Sequence, residues 1–149
     1  MTIGEMTESI YNDIVIKKMD FRPAVQVNNT PIVNGTITEN ALFFCEEPRY
    51  IRQESDHVYF YTNDNQYYCL VFLFDFTNMT ELYVKASGND PSLYIYQASG
   101  ASFIRPLEGY TSLNNFDGTI GISNLNGIGM VSINANNGRY VKLYELQAR

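Results

Sequence analysis

The alternation of apolar and polar side chains predicts a chain built almost entirely of β-strands. Short runs rich in β-branched and aromatic residues recur along it, separated by segments that contain Asn, Gly or Pro, as is typical of strands joined by turns. These runs are Ala24–Asn28, Pro31–Ile37, Ala41–Cys45, Asp56–Thr62, Gln66–Phe76, Thr80–Ala86, Ser92–Gln97, Ser102–Arg105, Thr119–Ile122, Gly129–Asn134 and Tyr140–Leu146. The pattern predicts one all-β domain over residues 21–149, an antiparallel β-sandwich or jelly roll.

Turn-forming residues predict where the chain reverses. Asn34-Gly35 and Asn137-Gly138 predict two-residue hairpins, because a type I′ turn needs positive φ at both central positions. Residues 62–66 separate two aromatic runs and predict a longer hairpin loop. Further breaks are predicted at Gly88–Pro91, Ala98–Gly100 and Asp117-Gly118.

Residues 1–20 depart from the strand pattern. Met6, Ile10 and Ile14 lie at helical spacing, whereas the run Ile14–Ile16 is β-branched and is equally compatible with a strand. This segment is predicted to be a short helix.

Tyrosines recur on the polar side of the predicted strands. In Asp56–Thr62 they are Tyr59 and Tyr61, and in Ser92–Gln97 they are Tyr94 and Tyr96. If the aliphatic sides form the core, these four rings lie on outer faces. They either cover the pleat as ordinary sheet-surface tyrosines or form a surface that binds a partner or a sugar, and they are the candidate ligand-binding or partner-binding residues.

The run Gln66–Phe76 is apolar on both faces of the predicted strand, so both faces need cover. The N-terminal segment could supply that cover within the chain, or a second subunit could. The second alternative predicts a homo-oligomer.

The charge and the apolar runs exclude some partners. A net charge of −6 and a pI near 4.6 repel phosphate, so nucleic acid is not expected as a partner. The longest apolar run, 67–76, is too short for a membrane helix, and no membrane insertion is expected. The N-terminal residues lack the pattern of a signal peptide, which predicts synthesis in a cytoplasm.

No catalytic centre, metal site or cofactor is predicted. The one histidine, His57, and the two cysteines, Cys45 and Cys69, are too few for a zinc site and have no triad pattern. The cysteines are expected to be buried thiols, and a single disulfide between them remains an alternative.

Paired carboxylates are the only remaining route to hydrolase chemistry. Residues 63–65 and 114–118 could also hold a structural calcium ion, although both are good turn sequences without one.

Two segments in the C-terminal half, Phe74–Val84 (FDFTNMTELYV) and Asp90–Gly100 (DPSLYIYQASG), resemble the jelly-roll modules of bacteriophage capsid decorations, head fibres and baseplate or tail-tip proteins. The resemblance implies a non-enzymatic virion component, made in the host cytoplasm and assembled with itself and other virion proteins. It also implies that residues 1–20 are a tether to a neighbouring subunit. It assigns no functional residue. Leu-Tyr-Ile-Tyr segments also occur in carbohydrate-binding modules, so the alternative is a carbohydrate-binding or receptor-binding module whose tyrosines contact a host glycan.

Overall fold

The computed structural model describes residues 27–45, 48–62, 67–99, 102–104, 109–136 and 138–149. These residues form thirteen strands and a short 3-10 turn at Pro48–Tyr50. The strands are β1 (Ile32–Val33), β2 (Thr36–Ile37), β3 (Phe43–Cys45), β4 (Ile51–Gln53), β5 (Val58–Tyr61), β6 (Tyr67–Asp75), β7 (Glu81–Gly88), β8 (Ser92–Ser99), β9 (Ser102–Ile104), β10 (Thr111–Ser112), β11 (Phe116–Gly121), β12 (Ile128–Asn136) and β13 (Tyr140–Ala148). Across these ranges there is no helix long and apolar enough to cross a membrane.

The strands form two antiparallel sheets. In sheet 1, β11 pairs with β7, and β7 pairs with one edge of β13. The other edge of β13 pairs first with β5 and then, nearer its end, with β1. Beyond these two strands, β4 pairs with β5 and β2 pairs with β1. Sheet 2 has the order β8-β12-β6-β3. The outer edge of β8 pairs with β10 near its start and with β9 near its end. The predicted antiparallel sandwich of the jelly-roll type is therefore confirmed.

The core lies between the inner faces of the two sheets. The predicted alternation is confirmed on β5, β7 and β13, where every second residue is buried. The largest fully buried side chains are aromatic and aliphatic, among them Phe43, Phe60, Phe72, Phe74, Phe76 and Leu82. The register of β13 against β7 shifts between Leu143 and Glu145, and this β-bulge returns Leu146 and Ala148 to the core side.

The Asn34-Gly35 hairpin is confirmed. Asn34 and Gly35 have φ values of 51° and 73°, and the turn pairs Ile32 with Ile37 and Val33 with Thr36. A Cβ atom added to Gly35 would lie 1.9 Å from the carbonyl oxygen of Asp56. Glycine is therefore needed here both for the backbone angle and for a close approach between two backbone segments.

The other two predicted hairpins are wrong, because the strands on either side of each turn belong to different sheets. β12 lies in sheet 2 and β13 in sheet 1, and β5 and β6 are divided in the same way. The two crossings meet at Thr62, whose N–H donates to the Arg139 carbonyl at 3.1 Å and whose carbonyl accepts from the Gly138 N–H at 2.8 Å. A turn sequence fixes the local backbone angles and does not choose the sheet that the next strand joins.

Strand boundaries differ from the prediction in several places. Asp117-Gly118 is not a break but lies inside β11, where it pairs with Lys85 and Val84. The strands β4 and β10 were not predicted, since Ile51–Gln53 and Thr111–Ser112 show no alternation of apolar and polar residues. The chain does turn between β7 and β8 and between β8 and β9, as predicted. The N-terminal helix or tether, residues 1–20, lies outside the described residues, as does most of Ala24–Asn28.

Strand β6 is apolar on both faces, and the chain itself covers part of the outer one. Leu70, Phe72 and Phe74 point into the core, whereas Leu73 lies on the opposite face and still has 0% of its surface exposed. Val71, on the same outer face, is half-buried. A second subunit is not needed to bury Leu73, so this strand gives the predicted homo-oligomer no support.

Candidate functional site

The outer face of sheet 1 carries a concentration of half-buried tyrosines. Alternation along the strands places them opposite the buried positions, although Tyr61, at the end of β5, also packs against the buried Tyr50 with 5.4 Å between ring centroids. They are Tyr59 and Tyr61 on β5, Tyr83 on β7, and Tyr140 and Tyr144 on β13. We call the surface formed by these five residues the tyrosine face.

Several of these rings contact one another. The Tyr59 and Tyr61 centroids are 5.4 Å apart, and Tyr59 and Tyr140 are stacked at 5.8 Å with 27° between their planes. His57 extends the cluster by contacting Tyr59 at 6.1 Å and Tyr144 at 5.9 Å. Such aromatic pairs contribute about 0.5–1.5 kcal/mol each beyond their buried area. Ring contacts therefore link His57, Tyr59, Tyr61, Tyr140 and Tyr144, whereas Tyr83 stands apart from them and bonds to Asp117.

Cations lie among the rings. The Arg52 guanidinium lies 4.9 Å above the Tyr59 ring and 5.5 Å above the Tyr61 ring, and its Nε is 3.1 Å from Glu54. Lys85 lies 5.9 Å from the Tyr144 centroid. Lys142 stands between Tyr59 and Ser87 in the sheet register. The face thus combines apolar rings with charged hydrogen-bond donors.

The carboxylates on this side are held by neighbouring donors. Glu145 accepts from the Asn34 N–H at 3.1 Å and from the Gln147 amide at 2.5 Å. At the margin of the face, Asp56 and His57 Nδ1 are 2.6 Å apart. Glu145 and Asp56 are thus bonded to neighbouring groups of the protein.

Tyr83 and Asp117 form a hydrogen bond that we expect to be measurable by titration. The Tyr83 hydroxyl donates to the Asp117 carboxylate at 3.0 Å. This bond, followed by partial burial and the charge of Asp117, raises the pKa of Tyr83. Since the bond favours the protonated phenol, Asp117→Asn should lower the pKa of Tyr83 towards that of a free tyrosine. NMR titration of ring-labelled tyrosine would measure the pKa of Tyr83, with Tyr83→Phe used to assign its signal. If the pKa is the same in Asp117→Asn as in the wild type, the hydrogen bond to Asp117 is not what raises it.

The four predicted binding residues do not form one site. Tyr59 and Tyr61 lie together on the tyrosine face, whereas Tyr94 and Tyr96 lie on the outer face of sheet 2, on the opposite side of the sandwich. Tyr94 instead contacts Tyr110 at 5.8 Å.

The centre of the outer face of sheet 2 is covered. Leu73, Ser132 and Asn134 lie on it with exposures of 0%, 5% and 8%. The Ser132 hydroxyl donates to the Asn134 side-chain oxygen at 3.0 Å, so these polar groups are satisfied within the protein. The tyrosine face is the more open of the two outer faces, and we take it as the candidate site.

Sequence reasoning missed several residues of this site. Arg52 was missed because β4 was not predicted. Tyr140, Lys142 and Tyr144 show the outward alternation in the sequence, but nothing local indicates that β13 lies beside β5. That neighbourhood is a property of the topology, and it is what brings Tyr140 against Tyr59.

The thiols and the histidine do not meet. Cys45 and Cys69 are thiols that do not form a disulfide, and they belong to sheet 2, whereas His57 precedes β5 in sheet 1. Cys45 is buried as expected, but Cys69 is only half-buried, because it lies on the outer face of β6. The two thiols point to opposite faces of their sheet, which leaves the predicted alternative of a bridge without geometric support.

Of the two predicted calcium-binding segments, residues 114–118 lie in the described part of the chain. Nowhere in it do three or more His, Cys, Asp or Glu side chains gather as metal ligands. The Asn114 side-chain oxygen accepts from the Asp90 N–H at 2.7 Å, and Asp117 bonds to Tyr83. Residues 114–118 therefore form a turn and the start of β11, while 63–65 lie outside the described residues.

Comparison with known proteins agrees with the fold. No family model and no curated protein matches the sequence. Among solved structures, the fold is similar to a lysine-to-alanine variant of a family 29 carbohydrate-binding module complexed with cellulohexaose, with 9% identity, a TM-score of 0.54, and coverage of 80% of this chain and 88% of that chain. An aspartate-to-alanine variant of that module has 8% identity, a TM-score of 0.53, and coverage of 83% and 87%. At this identity the likeness shows the fold.

The prediction of a bacteriophage virion component is wrong. The similar solved structures are carbohydrate-binding modules, and phage structural proteins are not among these similar structures. The motifs on which the prediction rested lie in β6 to β8, and they reflect strand and turn preferences that many β-sandwiches share.

Proposed function

We propose that this chain is a non-catalytic carbohydrate-binding module that binds a glycan on the tyrosine face. The observation that supports this most is the contiguous cluster of Tyr59, Tyr61 and Tyr140 on the more open face of the sandwich. The fold likeness to carbohydrate-binding modules is consistent with it. Of the four residues predicted from the sequence, the proposal retains Tyr59 and Tyr61.

The chemistry of the face suits a sugar. A sugar ring offers apolar C–H surfaces and hydroxyl edges, and a tyrosine offers an apolar body with a polar tip at low entropic cost. The charged donors Arg52 and Lys142 flank Tyr59 in one row across β4, β5 and β13. With strands about 4.8 Å apart, the row from β4 to β7 spans about 14 Å. The face therefore fits an extended glycan chain better than a single enclosed sugar.

Arg52 must adjust when a glycan binds. Its guanidinium already lies over Tyr59 and Tyr61, so a sugar ring that stacks there has to replace it. The side chain is 54% exposed, and an exposed cation–π contact stabilises by only about 0.5–1 kcal/mol. The displacement is therefore inexpensive, and the freed guanidinium can donate to sugar hydroxyls.

The absence of catalysis is part of the proposal. The chain has one histidine, and the structure holds it between the Asp56 carboxylate and the rings of Tyr59 and Tyr144. These contacts fix the ring as part of the surface. A general base needs instead to reach a nucleophile or a substrate proton.

The double variant Tyr59→Ala/Tyr140→Ala tests the proposal. Removing two contacting rings should weaken glycan binding about 100-fold, at about tenfold per ring. A glycan array would identify the ligand, and isothermal titration calorimetry would measure the affinities of the wild type and the variant.

Tyr94→Ala is the matched control, since it removes the same side chain from the opposite face. It should leave the affinity unchanged, and all variants should keep the wild-type circular dichroism spectrum. Loss of binding in Tyr94→Ala but not in the double variant would place the site on sheet 2. A wild type that binds no glycan would refute the function.

A further inference from the structure

We infer that the glycan bound by the tyrosine face carries anionic groups, and that Lys142 is the residue that recognises them. This inference rests on the proposed function and adds the chemical class of the ligand. It comes from the distribution of ion pairs across the face.

Lys142 occupies the middle of the face. It lies on β13 between the buried Val141 and Leu143, which directs its side chain outward. In the register its neighbours across the strands are Tyr59 and Ser87, neither of which carries a charge. No hydrogen bond or ion pair joins its ammonium to any residue that the structure describes.

The other cations of the face lie near carboxylates. Arg52 forms an ion pair with Glu54 at 3.1 Å. Lys85 is paired in the sheet register with Glu145 on β13 and with Asp117 on β11, so a carboxylate residue lies on each side of it. Lys142 is the cation for which the face supplies no opposite charge.

The position of Lys142 contrasts with the acidic composition of the chain. The chain carries 16 acidic and 10 basic residues, yet an ammonium group surrounded by tyrosines has no carboxylate beside it. A ligand carboxylate or sulfate would complete the site with a charge-assisted hydrogen bond, which is about twice as strong as a neutral one. A neutral hydroxyl would also accept from Lys142 but would leave the charge uncompensated.

The overall charge of −6 opposes this attraction at long range. At physiological ionic strength, salt screens the repulsion between charges that are farther apart than the Debye length of about 8 Å. The direct contact between Lys142 and the ligand is shorter than this and is screened much less. Binding should therefore be measured at physiological salt, where the local contact determines the preference.

The experiment compares three oligosaccharides of equal length by isothermal titration calorimetry with the full chain. They are an oligogalacturonate, a sulfated galactan oligosaccharide and neutral cellohexaose. We expect at least one anionic probe to bind about tenfold more tightly than the neutral one. Whichever anionic probe binds more tightly identifies the group as carboxylate or sulfate.

Two substitutions assign the effect to Lys142. Lys142→Gln keeps a hydrogen-bonding side chain without the charge, and it should weaken binding of the anionic probe about tenfold more than binding of the neutral probe, which removes the preference. Lys142→Arg keeps the charge and should keep the preference. Tighter or equal binding of cellohexaose, or an anionic preference that survives in Lys142→Gln, would overturn the inference and leave the proposed function intact. If no probe and no glycan on the array binds, the proposed function itself fails.

Discussion

Gly35→Ala should lower the free energy of unfolding by about 3–5 kcal/mol. The positive φ of 73° accounts for about 1–2 kcal/mol of this, since an L-residue is disfavoured there. The rest comes from the new Cβ, which would lie 1.9 Å from the Asp56 carbonyl oxygen. Relief of that clash would disturb the bonds from Gly35 N–H to the Tyr144 carbonyl, at 2.8 Å, and from the Gln53 amide to the Gly35 carbonyl, at 2.6 Å. Urea denaturation would measure the loss.

Gly138→Ala separates the two causes. Gly138 has the same φ of 73°, but a Cβ there would meet nothing within 4 Å. Its substitution should cost only the backbone term of about 1–2 kcal/mol. Equal losses at Gly35 and Gly138 would show that the close approach to Asp56 contributes nothing.

Leu73→Asp should prevent stable folding. The side chain is 0% exposed on the outer face of sheet 2, so the substitution removes a buried leucine and places a carboxylate in a covered site. We expect a loss of about 4–6 kcal/mol, which is comparable with the whole stability of many domains. Limited proteolysis and thermal unfolding would detect it.

Val71→Asp is the control on the same strand and face. Val71 is half-buried, so an aspartate there retains access to water and should cost about 1–2 kcal/mol. A Leu73→Asp variant that unfolds at the wild-type urea concentration would show that this face opens in solution, and would revive a second subunit as its cover.

The fold class was predictable because alternation is a local property. In Val58–Tyr61, and in β13 as far as the bulge after Leu143, the buried and outward positions follow directly from the sequence. The Asn34-Gly35 turn was predictable for the same reason, since both its backbone angles and its pairing are set within six residues.

The topology was not predictable from local pattern. Asn137-Gly138 carries the same turn chemistry as Asn34-Gly35, yet the chain there passes from one sheet to the other. The difference lies in tertiary partners such as Thr62, which binds Gly138 and Arg139 from 76 and 77 positions away along the chain. No window around the turn contains that information.

The candidate site was half predictable. Tyr59 and Tyr61 could be selected because they are aromatic and outward-facing, but Tyr94 and Tyr96 satisfy the same criterion on the other sheet. Outward orientation does not tell which outer face is covered. That depends on the burial of Leu73 and Ser132, which only the three-dimensional structure reveals.

The position of β13 has a consequence for the protein as it is made on the ribosome. β13 is the strand that joins β7 to β5 and β1, and it is bridged to the first hairpin between Asn34 and Glu145, 111 positions apart. Sheet 1 therefore cannot close until residue 148 has been synthesised, and its earlier strands wait with unpaired edges during translation. Such sequence-distant pairing slows folding and lengthens the exposure of unpaired strand edges, so aggregation competes with folding until β13 has been made.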